Sequence, residues 1–85
     1  MKLRNHKYLT VTDTDYGAVL LDTKSGEYWQ LNPPAAVIVR TLLEGGDAEE
    51  AIRRVTDRFD VDSERATTDV RTLVDAMRSA GVIKK

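Results

Sequence analysis

Eighty-five residues make one domain, and a chain this short buries only about 60–65% of the surface its unfolded form exposes, which leaves no core for a second module. Thirteen Lys and Arg stand against fourteen Asp and Glu for a formal net charge of -1, so the long-range field draws neither nucleic acid nor an anionic membrane. The absence of cysteine excludes a disulfide framework, a thiolate nucleophile and a Cys-based zinc site, and fits a reducing compartment.

The N-terminal MKLRNHKYLTV has basic residues but no apolar core of signal-peptide length, and no run in the chain approaches the roughly 20 apolar residues of a membrane span. A cytoplasmic protein without membrane contact is expected. Tyr8 to Thr12 alternates β-branched and aromatic residues and predicts a first strand, with Asp13-Thr14-Asp15-Tyr16-Gly17 as its turn. Ala18 to Asp22 is an apolar run of strand length, Thr23-Lys24-Ser25-Gly26 is a four-residue connection, and Glu27 to Leu31 resumes strand character. Asn32 then supplies a capping oxygen, and Pro33 and Pro34 fit a first helical turn, where a missing N–H costs nothing. Helix 1 runs to about Leu43, with Val37, Ile38, Thr41 and Leu42 as its stripe and Gly45-Gly46 as its stop.

Asp47 followed by Glu50 is a capping-box pattern opening helix 2, whose buried face carries Ala48, Ala51, Ile52, Val55 and Phe59. Asp60 to Ser63 breaks it. Asp62 or Ser63 caps helix 3, in which Ala66, Val70, Leu73, Val74 and Met77 recur at helical spacing; Gly81 closes it, and Val82-Ile83 are expected to pack back. Three strands followed by three helices predict an α+β domain, a three-stranded antiparallel sheet carrying helices on one face, which is also the parts list of a winged helix-turn-helix.

No catalytic set is present, and neither a cofactor nor a metal is expected. His6 is the sole histidine and lies near a terminus, so it anchors no transition metal. The carboxylates are spread over helix surfaces, where Glu49, Glu50, Arg53 and Arg54 read as a solvated face with i,i+4 pairs. Gly45-Gly46 follows a helix, whereas a phosphate cradle needs glycines between a strand and a helix N-terminus. Helices 2 and 3 could form a helix-turn-helix, so a small DNA-binding regulator is the alternative reading. Against it, helix 3 balances Glu64, Asp69 and Asp75 with Arg65, Arg71 and Arg78, short of the basic surface that phosphate neutralisation demands. A structural subunit or carrier is a third possibility.

The aromatic strand Glu27-Tyr28-Trp29-Gln30-Leu31 holds the only Trp. Alternation places Trp29 and Leu31 on one face and Tyr28 and Gln30 on the other. Leu31 precedes the helix cap and reads as core, which favours a packing role for Trp29 over a ligand contact and leaves Tyr28 pointing outward. On a helical wheel Ala66, Val70, Leu73 and Met77 centre the helix 3 stripe, with Asp69, Thr72 and Ala76 on one border and Thr67, Val74 and Arg78 on the other. The border with Ala76 is shallow, with room for an inserted side chain and Asp69 at its rim.

The phrase GEYWQLN, the GGD between helices 1 and 2, the DVRTLVDAM helix and the terminal AGVI resemble, in order and spacing from about Leu9 to Ile83, the PqqD-like family that includes the RiPP peptide recognition elements. The resemblance is greatest to the discrete recognition proteins of lasso-peptide biosynthesis. It implies a winged-helix-like fold that binds the leader of a ribosomally made precursor peptide, typically one with a Tyr-x-x-Pro motif. The leader adds as an antiparallel strand to the edge of strand 3, in a groove walled by helix 3. The implied partners are a leader peptidase and an ATP-dependent macrolactam cyclase. By this resemblance Glu27, Tyr28, Trp29, Gln30 and Leu31 line the edge, as far as their N–H and C=O groups point outward, and Asp69, Val70, Leu73, Ala76 and Met77 form the helical wall. Asp69 matches the acidic position that recurs in the family's third helix. Arg78, on the opposite border, is a second candidate for acidic leader residues.

Overall fold

A computed structural model of the chain describes residues 8–79. His6, Gly81 and Val82-Ile83 lie outside that range. Within it three strands, β1 (Leu9–Thr14), β2 (Gly17–Asp22) and β3 (Tyr28–Leu31), form an antiparallel sheet in the order β1-β2-β3. Three helices follow, α1 (Pro33–Leu43), α2 (Ala48–Arg58) and α3 (Ser63–Ser79). None of the described helices is long and apolar enough to cross a membrane.

The register sets Leu20 opposite Val11 on one side and Trp29 on the other, and Ala18 opposite Leu31. These residues and Leu9 face the helices; Leu9, Ala18, Leu20 and Leu31 are buried, while Val11 and Trp29 pack at the margin of the core. The expected turn from Asp13 to Gly17 is shorter in the structure. Asp13 and Thr14 belong to β1, Gly17 opens β2, and only Asp15-Tyr16 connects them. The second connection is longer than expected, because Glu27 precedes β3 rather than opening it. There Asp22 Oδ1 accepts from Lys24 N–H at 2.9 Å, an Asx turn that extends the loop by one residue.

α1 is the central helix, in contact with β2, β3, α2 and α3. Its Ile38, Val39 and Leu42 are buried. Asn32 Oδ1 caps it by accepting from Ala35 N–H at 2.9 Å, and a Schellman motif closes it: Gly46 N–H donates to Thr41 C=O and Gly45, at φ 92°, donates to Leu42 C=O. α2 opens on Asp47, whose carboxylate accepts from Glu50 N–H at 2.9 Å. The reciprocal arm of a capping box is not made, because the Glu50 carboxylate pairs with Arg54 at 3.1 Å. Arg54 also donates to Glu44 at 2.8 Å, a hydrogen bond that, with the charge of Glu50, raises its pKa and ties the end of α1 to α2. Phe59, expected on the helix, is its C-cap. Asp62 rather than Ser63 caps α3, accepting from Arg65 N–H at 2.7 Å.

The stripe of α3 is rotated from the wheel. Ala66, Val70, Val74 and Met77 are buried and Leu73 is only half-buried, so the buried stripe takes in Val74 from one border and leaves Leu73 at the other. The reason is that α3 packs on both α2 and α1, and contact with two helices widens the buried arc toward Val74. Leu73 is thereby left at the open margin.

Candidate functional site

β3 is an edge strand, with β2 on one side and no strand on the other among the described residues. Its free backbone groups follow from the ladder. Asp22 N–H donates to Glu27 C=O at 2.9 Å, and Thr23 N–H donates to Tyr8 C=O at 2.8 Å. Alternation from these bonds turns the main-chain groups of Glu27, Trp29 and Leu31 toward β2 and those of Tyr28 and Gln30 toward the open edge. Four polar groups, two N–H and two C=O, are thus available there. The Tyr28 and Gln30 side chains stand on the outer face of the sheet, and Tyr28 is 64% exposed. Trp29 is half-buried against the core, in keeping with the packing role read from alternation.

The structure brings Asp69, Leu73 and Ala76 together with Thr72 along one side of a groove of about 320 Å³, the space of roughly ten waters. The facing wall is the first two turns of α1, through Pro34, Ala35 and Ile38, with Asn32 at the mouth. Arg65 closes the other end, its Nε 3.8 Å from Asp69 Oδ2. The floor is apolar and the rim carries an ion pair, which suits an apolar side chain with a polar tip.

Two of the expected wall residues are elsewhere. Val70 and Met77 are 2% and 1% exposed, held in the core by the rotation of the α3 stripe, so neither offers its side chain to the groove. Val70 instead underlies a second concavity, between α2 and α3, edged by Ile52, Arg71 and Arg78. Arg78 is therefore on the far side of α3 from the groove, as its border position predicts. The α1 wall was missed by sequence reasoning; its one signal is the compact Pro34-Ala35 pair next to Asn32, where an apolar first turn is left half-exposed.

The α3 surface carries ion pairs within itself, Arg65 with Asp69 and Arg78 with Asp75 at 3.5 Å. Such self-neutralised charge releases few counterions on meeting a polyanion.

Comparison with known proteins agrees with this fold. The family model described as coenzyme PQQ synthesis protein D (PqqD) matches residues 17–83. No curated protein matches. Among solved structures, a lasso peptide synthetase B1 complexed with the leader peptide is 41% identical, with a TM-score of 0.74 over 95% of this chain and 93% of that one. TbiB1 in complex with the TbiA(beta) leader peptide shares the fold at 24% identity, with a TM-score of 0.79 over 99% of this chain and 95% of that one. A family model that spans most of the chain and the same order of strands and helices in both structures lead to one conclusion: the chain belongs to the PqqD family and is a PqqD-like RiPP recognition element.

Proposed function

We propose that this protein is a non-catalytic module that binds the leader segment of a ribosomally synthesised precursor, that of a lasso peptide, and presents it to a leader peptidase and an ATP-dependent macrolactam cyclase. The leader adds as an antiparallel fourth strand to the edge of β3 and seats its inward side chains in the α1–α3 groove. The observation that carries the reading is the unpaired edge at Tyr28 and Gln30 beside that groove. The 41%-identical lasso peptide synthetase B1, whose structure holds a leader peptide, supports it.

Edge pairing binds extended peptides with little demand on sequence, so pockets must supply the choice of partner. A leader aromatic and a proline, buried in the groove, contribute on the order of 1.5–3 kcal/mol each, offset by the cost of ordering a flexible peptide. Affinity near micromolar, roughly −8 kcal/mol, is the expected result.

The test is a titration with a fluorescein-labelled lasso-type leader peptide that carries the Tyr-x-x-Pro motif. Saturable binding is expected, and its absence overturns the reading. Ala76 is exposed and Leu73 half-buried, so Ala76→Trp and Leu73→Arg should retain the helical circular dichroism while weakening binding by about tenfold or more, the effect of one lost anchor. If both variants bind like the parent, the leader does not occupy the α1–α3 groove.

A further inference from the structure

Asn32 borders two concavities at the end of β3. One is the α1–α3 groove; the other, about 490 Å³, opens on the outer face of the sheet between Thr14, Tyr16, Val19 and Gln30. Their linings differ in kind. The inner groove has an apolar floor and an ionised rim, whereas no charged side chain lines the outer one. Hydroxyls of Thr14 and Tyr16 and the amide of Gln30 surround Val19, and among the described residues none of these three polar side chains has a protein hydrogen-bond partner. Asn32 Oδ1 accepts from Ala35 N–H, which leaves its NH₂ to donate elsewhere.

A strand added to β3 has to meet both concavities. Tyr28 and Gln30 turn their main-chain groups to the open edge, so the residues hydrogen-bonded to them are directly opposite and share their face. Those residues point outward, and the one between them, opposite Trp29, points in. The outward residue opposite Gln30 then lies alongside the outer concavity, over the Gln30 side chain and toward Tyr16, which is 88% exposed and free to fold over it.

We propose that this outer concavity is a second specificity subsite for the same leader, taking a neutral hydrogen-bonding side chain, Ser, Thr, Asn or Gln, in preference to an acidic one. The inference rests on the leader-binding reading. Its chemistry is that of the lining: hydroxyl and amide groups satisfy a neutral polar side chain, while a carboxylate finds no cation in the lining and meets the exposed Asp15 between Thr14 and Tyr16. Asp13 turns with Val11 to the opposite face of the sheet, where it pairs with Arg40.

The experiment titrates the same labelled leader, each position replaced in turn by Gln and by Glu, against the parent protein and a Thr14→Val/Tyr16→Ala double variant. Both residues are exposed, and circular dichroism verifies that the fold is kept. The expected result is one outward position where Gln binds about two- to fivefold more tightly than Glu, the size of a cross-strand pair effect. The double variant should erase that preference while remaining sensitive to Ala76→Trp. The subsite is refuted if the preference is missing at every outward position or survives in the double variant. It is equally refuted if the double variant binds all leaders like the parent and instead slows leader removal by the peptidase, which would make this face an enzyme contact. If the parent binds no leader, the leader-binding reading itself has failed, a result distinct from all of these.

Discussion

Asn32 joins the end of β3 to the start of α1: its Oδ1 holds the helix, and the residue borders both concavities. Gly17 fixes the same junction from the sheet side. At φ 154° it opens β2, and a Cβ there would collide with the carbonyl oxygen of Leu31. Gly17→Ala is therefore expected to lower stability by about 1–3 kcal/mol, the range for steric overpacking, read as a fall in the urea midpoint at unchanged slope. Of these two residues, the sequence betrayed the cap of Asn32 through the prolines that follow it. It did not betray the role of Gly17, because a glycine beside Asp15-Tyr16 reads as a turn, and only the register shows that it lies against Leu31.

At the scale of elements, the helix ends were the most legible part of the chain. Asn32, Asp47 and the two glycines after Leu43 each mark a boundary where the structure has one, since caps act over three or four residues and need no tertiary knowledge. Gly45→Ala tests this local logic. The left-handed position at φ 92° favours glycine, so the substitution should cost about 1 kcal/mol in chemical denaturation. Leader affinity should stay the same, because Gly45 is at the far end of α1 from Asn32. The groove was half legible. Asp69, Thr72 and Ala76 stand on the open border where the wheel placed them and Leu73 joins them from the stripe, but Val70 and Met77 stay in the core, because the wheel knows one helix and the burial of α3 is set by two neighbours. The α1 wall depends on how α1 and α3 lean together, which no periodicity encodes.

For the whole molecule, near-neutral charge governs how binding responds to solution conditions. A net charge of -1 and ion pairs closed within α3 leave little counterion release to drive association. Leader affinity is expected to change by less than about threefold between 50 and 500 mM salt, whereas contact with six or more phosphates would produce a loss of about a hundred-thousandfold or more. Anisotropy titrations over that range decide the matter, and a steep log–log slope would restore the DNA-binding alternative.

β3 is four residues long, about 13 Å of chain at the usual rise, and only two of those residues face the open edge. A hold this brief cannot fix register through the backbone alone, since a shift by two positions would regain nearly every main-chain bond. It also has few bonds to break on the way out. On the delivery role proposed above, the spent leader has to leave after cleavage, or each copy would serve a single precursor. A two-residue handhold suits that proposed role, since it favours a short dwell time and leaves the choice of cargo to the side chains on either side of it.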